Sequence, residues 1–448
     1  MNKSRVLILG GGFGGLYAAL EFERRRDPAL EVTLVTQENF FLFTPMLHEV
    51  AASDLDLTNI VNPIRKLLRH VRTFVGEVTS VDLVARRVTV AHGFSRHVHA
   101  LEYDHLVLGL GSVTNFFGIR GLADQALCMK TLRDAVELRN RLIAHLEEAD
   151  TECAKSDREP LLTFVVAGGG FAGVETIGSL NDFLREALPY YPNLNRRMLR
   201  LVLVHPGDFV LPELGLDLGR YASGQLRSRG VEIHANSKVT GVTPREVILS
   251  DGTRLSTFTL VWTAGTAPCP ALHLIDLPKE RGRIKVEATL AVPGHPGLWA
   301  LGDCAVIPDV NKAGACHPPT AQHASREGRV LAANIAASVR GEALRPFTFK
   351  TLGLLASIGR RTGVARILGV NFSGFVAWWL WRTIYLSKLP GFEKKVRVAL
   401  EWSLDLFFKK DFVQYLRAPQ TRPLIPTDDM TLPVRAACEP SPNPPPMS

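Results

Sequence analysis

Val6-Leu7-Ile8-Leu9-Gly10-Gly11-Gly12-Phe13-Gly14-Gly15-Leu16-Tyr17-Ala18-Ala19-Leu20 decides the fold. Four apolar residues run into a glycine cluster, and a helical pattern through Phe22 follows before a second apolar run, Val32-Thr33-Leu34-Val35. That order is strand, tight turn, helix, strand, the setting in which a GxGxxG pattern (Gly10, Gly12, Gly15) binds a dinucleotide. Each glycine has its own reason: one permits the turn, one lets the backbone approach a diphosphate, and one lets helix and strand pack closely. The diphosphate then meets free N–H groups and the positive end of the helix dipole. Leu162-Thr163-Phe164-Val165-Val166-Ala167 leads into a second copy, with Gly168, Gly170 and Gly173, a helix through Leu180 and a strand at Leu201-Val202-Leu203-Val204. A lone motif is weak, but a structural turn rarely explains two. The chain therefore reads as α/β with two Rossmann-like units, each for one dinucleotide.

Outward from these units lie further markers. Leu106-Val107-Leu108-Gly109-Leu110-Gly111-Ser112 and Leu260-Val261-Trp262-Thr263-Ala264-Gly265-Thr266 are apolar strands that run into small-residue turns, as if the chain leaves a nucleotide domain there. Leu298-Trp299-Ala300-Leu301-Gly302-Asp303 is a strand ending in Gly-Asp, where an acid suits a sugar-like hydroxyl chain; its plainer role is a helix N-cap. The 448 residues, 46% hydrophobic, allow two or three domains. A net charge of +8 comes from 52 basic residues mixed with 44 acidic ones, without a basic block, so nucleic acid is not an expected partner. Six scattered cysteines form no CxxC or zinc-type spacing and read as mostly structural thiols, and His92, His97 and His99 read as solvated; no metal is expected. The apolar start is too short for a signal peptide. The most apolar stretch, Phe375 to Leu386, carries Arg382 and falls short of the roughly 20 residues that span a bilayer.

Both GxGxxG units, the two small-residue turns and the late Gly-Asp together resemble the two-dinucleotide-binding flavoproteins related to glutathione reductase, over about residues 5 to 335. That resemblance implies FAD in the first unit, a nicotinamide domain inserted into the FAD domain, and Asp303 on the flavin's ribityl chain. The implied layout is an FAD-binding domain at 1–158 and 290–340 and an NAD(P)-binding domain at 159–289. A C-terminal amphipathic, membrane-associating region follows at 341–417, then a Pro-rich tail at 418–448 that reads as disordered. Disulfide reductases of this group need a cysteine pair beside the flavin, and none is present; Cys128, Cys269 and Cys316 stand in unsuitable contexts for sulfide:quinone chemistry.

Within the group, the sequence resembles type II NADH dehydrogenases, the NADH:quinone oxidoreductases that do not pump protons. The resemblance rests on Gly10 to Gly15, Asn39 to Ala51, Gly168 to Glu175, Pro318-Pro319-Thr320-Ala321-Gln322-His323-Ala324, and Lys350 to Gly359, and it covers most of the chain. It implies FAD held at Gly10, Gly12, Phe13, Gly14, Gly15, Glu38, Gly109, Gly111, Gly302, Asp303 and Ala321. NADH would lie at Gly168, Gly170, Gly173, His205 and Gly265. Glu175 is implied at the nicotinamide or in protonation coupled to quinone reduction, against a plainer role as a carboxylate near a helix N-terminus. Gln322 is implied on the quinone, against a plainer role in capping its helix. Three positions depart from the family pattern: Thr36 and His205 replace the acids that usually bond adenosine ribose, which admits NADPH beside NADH, and Arg326 replaces a second glutamine.

Four of the six tryptophans (Trp378, Trp379, Trp381, Trp402) fall after Phe375, together with eight Lys/Arg up to Arg417 against four acids. Val396, Leu400, Leu404 and Phe407 recur at helical spacing. Aromatic rings and basic residues on one amphipathic element predict contact with an anionic membrane surface; packing on the protein's own core or on the second subunit of a homodimer is the rival. The expected protein is thus a peripheral respiratory-chain enzyme on the cytoplasmic face of the inner membrane. Its rivals are a soluble NAD(P)H-dependent reductase with a protein acceptor such as a ferredoxin, and a slowly turning redox sensor.

Overall fold

The computed structural model describes residues 3–405 and 407–415, so the expected tail at 418–448 lies outside the described residues. The chain divides into two compact units, one of Met1–Leu42, Val61–Asn115 and Thr266–Leu352, the other of Phe43–Ile60, Phe116–Gly265 and the residues from Gly353 on.

In the first unit a five-stranded sheet runs in the order Leu298–Ala300, His105–Leu108, Ser4–Leu9, Leu30–Thr36, Arg72–Val75. All four pairings are parallel. Such strands are apolar on both faces, and Val6, Leu7, Ile8 and Leu9 are accordingly buried without alternation. The helix Phe13–Arg25 packs along the helix Ala321–Val339. Gly328 makes the approach close, since a Cβ there would stand 2.5 Å from the Gly14 carbonyl oxygen.

The second unit repeats the plan: Leu127–Cys128, Thr259–Trp262, Thr163–Ala167, Arg200–Val204, Val231–His234, again all parallel. In each sheet the central strand is the one that feeds the glycine turn, which is where the strand order reverses and a ligand crevice opens at the carboxyl ends. Around this sheet stand the helices Leu132–Thr151, capped by Thr131 and Asp134, and Phe171–Ala187. A short helix from the first part of the chain, Leu47–Ala51, also joins this unit. The C-terminal region adds an antiparallel sheet of Gly353–Ser357, Gly363–Ile367 and Val370–Ser373, then the helices Gly374–Lys388 and Phe392–Leu404. No described helix is long and apolar enough to cross a membrane.

The two compact units divide the chain at other points than the expected cofactor domains do. Residues 116–158 belong to the second unit, because Leu127–Cys128 extends its sheet beside Thr259–Trp262. Residues 266–289 belong to the first, and residues 353–405 and 407–415 fall in the second. The crossings fall at the two small-residue turns, just after Gly111 and at Gly265, where Ser112–Thr114 pairs antiparallel with Thr266–Pro268.

Candidate active site

The glycines of the two turns differ in what holds them. Gly10 has φ +108°, and a Cβ there would stand 2.2 Å from the Gly109 carbonyl oxygen. A Cβ on Gly15 would stand 1.9 Å from the Gly10 carbonyl oxygen. Chain geometry alone demands both. Gly12 is different: its φ is an ordinary −76°, and nothing lies within 4 Å of the position its Cβ would take. The second unit behaves alike, with Gly168 (φ +117°) and Gly173 (1.8 Å from the Gly168 carbonyl oxygen) fixed by the fold and Gly170 facing open space. Neither helix that follows has a side-chain cap or an acid in its first turn. The open space before uncapped N–H groups fits a diphosphate in both units.

Other expected residues gather at these turns. In the first unit, the Gly109 N–H donates to the Leu9 carbonyl, and Gly111 sits at φ +69° beside open space. Gly302 (φ +68°) donates its N–H to Glu327 Oε2 at 2.8 Å, and Asp303 is hydrogen-bonded to Ser112 Oγ. Burial pushes the Glu327 carboxyl up to about 7. Glu38 is exposed just beyond the strand end at Thr36, whose hydroxyl lies beneath Gly11 and donates to the Glu38 carbonyl at 3.1 Å. Ala321 and Gln322 open the Ala321–Val339 helix behind the N-cap Thr320, and the Gln322 carbonyl accepts from Arg326 Nη1 at 2.8 Å. The Arg326 guanidinium covers the Phe349 ring at 4.1 Å. In the second unit, Gly265 (φ +94°) is packed by the Phe117 ring. His205 is buried and its Nδ1 accepts from the Gly169 N–H at 3.1 Å, so the ring anchors the turn. Thr36 and His205 thus occupy equivalent places, beneath Gly11 and Gly169 respectively.

Deeper in the second unit lies a cluster that the sequence only half revealed. Glu175 is buried one turn into the Phe171–Ala187 helix, past the reach of an N-terminal dipole contact. Its Oε1 accepts from Trp381 Nε1 at 2.8 Å and from the Ser357 N–H at 3.2 Å. The strand that carries Ser357 can come this near because Gly178 has no side chain; a Cβ there would meet the Ile358 backbone at 2.6 Å. Glu49, buried on the Leu47–Ala51 helix, accepts from Trp402 Nε1 at 3.2 Å. Burial pushes both carboxyls up to about 8. His48, the residue before Glu49, is buried and its pKa is pushed down to about 3 by the same cause, so the ring is neutral. His48, Glu49, Ser357 and the tryptophan partners were not anticipated as site residues. The only local signal was a polar His-Glu pair inside an apolar helix.

Raised carboxyl pKa values carry a stability consequence of definite sign. Between about 4.5 and 8 the folded protein holds protons on Glu49 and Glu175 that the unfolded chain releases, so their contribution is complete below the unfolded value and lost as pH rises towards 8. Thermal melts of the holoprotein should show Tm falling from pH 5 to 8 more steeply in the wild type than in Glu49→Gln. Parallel slopes would show that Glu49 is not protonated in the folded state.

Residues 4–328 match the pyridine nucleotide-disulphide oxidoreductase family, and residues 352–411 match the NDH2 C-terminal domain. The chain is 32% identical to the type II NADH:quinone oxidoreductase Ndh of Mycobacterium tuberculosis, over 90% of this chain and 88% of that protein. It is 30% identical to the demethylphylloquinone reductase NdbB of Synechocystis, over 89% and 96%. Among solved structures, NDH2 from Plasmodium falciparum in complex with NADH superimposes with a TM-score of 0.86 at 20% identity, covering 92% of this chain and all of that one. The sulfide:quinone oxidoreductase of Aquifex aeolicus shares the fold at a TM-score of 0.68 and 19% identity, covering 91% and 96%. Two parallel sheets, each with a glycine turn after its central strand, define the fold of a pyridine-nucleotide flavoprotein oxidoreductase. The chain belongs to the type II NADH:quinone oxidoreductases, within the pyridine nucleotide-disulphide oxidoreductase family.

Proposed function

We propose that this protein is a peripheral-membrane FAD enzyme that oxidises NADH, with NADPH admitted, and reduces a membrane quinone by two electrons without pumping protons. The observation that carries the reading is the pair of turns whose middle glycines, Gly12 and Gly170, face open space that nothing in the protein needs. FAD is assigned to the turn at Gly10, Gly12, Phe13, Gly14 and Gly15, with Glu38, Gly109, Gly111, Gly302, Asp303 and Ala321 around it. The nicotinamide dinucleotide is assigned to Gly168, Gly170, Gly173, His205 and Gly265. Bound flavin supplies two-electron chemistry between a nicotinamide hydride and a quinone. Gln322 is assigned to a quinone carbonyl and Glu175 to proton supply, a task suited to a carboxyl that titrates near neutral pH. Among the described residues, no group of three His, Cys, Asp or Glu is arranged to hold a metal ion, although His92 and His99 lie within 2.7 Å of each other. Initial rates test the reading. A water-soluble short-chain quinone should support NADH oxidation and a ferredoxin should not; slow turnover with every acceptor would favour the sensor instead.

Nicotinamide choice follows from His205. Lacking the acid that repels a 2′-phosphate, the wild type should discriminate weakly between NADH and NADPH. His205→Glu keeps an acceptor for the Gly169 N–H and adds the missing charge, so it should favour NADH by about tenfold or more, equivalent to about 1.4 kcal/mol. Ratios of kcat/KM for the two nucleotides check this. Strong rejection of NADPH by the wild type, unaltered in the variant, would remove His205 from the ribose site.

The membrane assignment keeps the apolar face first expected but loses most of its tryptophans. Trp378, Trp381 and Trp402 are buried, Arg382 lies over the Trp378 and Trp402 rings at 4.2 and 4.6 Å, and Lys410 is bonded to Asp54; none of these faces a lipid surface. The Trp381 and Trp402 rings serve the core because the buried Glu175 and Glu49 carboxyls need donors. Arg417 lies outside the described residues. What is exposed is an apolar ladder on the Phe392–Leu404 helix, Phe392, Val396, Leu400 and Leu404, while Val398 and Trp402 on its other side are buried. Phe375, Trp379, Phe407 and Phe408 are exposed too. Such a concentration of exposed apolar side chains marks an interaction surface, and Lys388, Lys395 and Lys409 supply the charge for anionic lipid. We assign it to the cytoplasmic face of the inner membrane. Phe392→Ser with Leu400→Ser should lower co-sedimentation with anionic vesicles by about tenfold or more at constant flavin content, at about 1.5–3 kcal/mol per buried apolar side chain. Unchanged vesicle binding, with a loss of dimer instead, would assign the surface to a second copy.

A further inference from the structure

Reduction of a quinone by NADH consumes one proton from water, because NADH, a proton and quinone give NAD⁺ and quinol. A buried carboxyl that supplies that proton must be reloaded from solvent in every turnover. Glu175 and Ser179 stand one turn apart on the same face of the Phe171–Ala187 helix. The His48 ring lies across both, with Nδ1 2.9 Å from Ser179 Oγ and Nε2 3.9 Å from Glu175 Oε1. That Nε2 is buried without a hydrogen-bond partner, an arrangement folded proteins seldom keep without a reason. Ser179 also lines a cavity together with the polar side chains of Ser357, Glu49, Asp182, Asp405 and Lys410.

We infer that this cavity is the proton-uptake mouth of the enzyme, and that Ser179 and His48 relay protons from it to Glu175. As Ser179 passes its hydroxyl proton to His48 Nδ1 it takes one from cavity water. His48 passes its Nε2 proton to Glu175 Oε1, and the carboxyl releases one from Oε2. One proton enters and one leaves, so the ring is neutral before and after, and its tautomer is restored by proton exchange, from Nδ1 back to Nε2, before the next turnover. Asp405, pushed up to about 6 by burial and by Asp54, and Glu49 exchange protons near neutral pH and so collect them at the mouth. The groups facing Glu175 are His48, Trp381, the Ser357 N–H and Tyr385, whose phenol burial keeps protonated; among the described residues no ion pair with a lysine or arginine competes for the proton. The fate of the proton beyond Glu175 rests on the quinone reading; the path to Glu175 does not.

Infrared spectroscopy of the oxidised holoprotein, without NADH or quinone, tests that path. The Glu175 carboxyl band, identified by its loss in Glu175→Gln, shifts in D₂O as its proton exchanges. Exchange should slow roughly tenfold or more in Ser179→Ala and in His48→Phe, and should recover in Ser179→Thr, which restores the hydroxyl. Should His48→Phe fail to retain flavin, the serine pair still decides. Exchange at the wild-type rate in Ser179→Ala would overturn the relay. Slowed exchange with unchanged reoxidation by a short-chain quinone would uphold the relay and count against the quinone reading.

Discussion

Gly12→Val should purify folded and colourless, with its flavin lost. The expectation rests on a contrast between neighbours. At Gly10 and Gly15 an added Cβ collides with backbone at 2.2 and 1.9 Å, and Gly10 also has φ +108°, so substitution there damages the turn itself. At Gly12 the backbone is ordinary and the space is open, so valine is tolerated by the fold and obstructs only what binds there. Circular dichroism and thermal melting should match the wild type while visible absorbance per protein falls to background. Full flavin occupancy would defeat the assignment of the first site. Gly170→Val should act in parallel on the other nucleotide: yellow, folded, and not reduced by NADH.

The second large effect is expected at Glu175. Glutamine can still accept from Trp381 Nε1 and the Ser357 N–H, so Glu175→Gln should fold and keep its flavin. It has no proton to give. Stopped-flow measurement should find reduction by NADH near the wild-type rate, since hydride transfer draws no proton from the protein. Reoxidation by a short-chain quinone should slow by about 10²–10⁴, the usual share of a positioned general acid. A loss confined to the NADH step would instead assign Glu175 to the nicotinamide.

How much of this was legible in the sequence depends on how local each feature is. The turns at Gly10–Gly15 and Gly168–Gly173 were readable because strand, turn and helix are contiguous and glycine is required for steric reasons. The second unit's cluster was not. Glu175 meets Ser357 and Trp381 across 182 and 206 residues, and Glu49 meets Trp402 across 353, separations that no periodicity encodes. Composition misled for the same reason: Trp381 and Trp402 look interfacial by count, yet each donates to a carboxyl in the core. The apolar spacing of Val396, Leu400 and Leu404 was read correctly as one face, and the structure leaves that face exposed. The compact units depart from the expected domain limits where a sheet recruits a distant strand, as with Leu127–Cys128 beside Thr259–Trp262.

An anaerobic titration of the purified holoprotein tests the central claim most directly. One equivalent of NADH should bleach the flavin band, and one equivalent of a short-chain quinone should restore it fully. A flavin that neither NADH nor NADPH bleaches, or that stays bleached with quinone present and recovers only on adding an oxidised ferredoxin, would contradict the account.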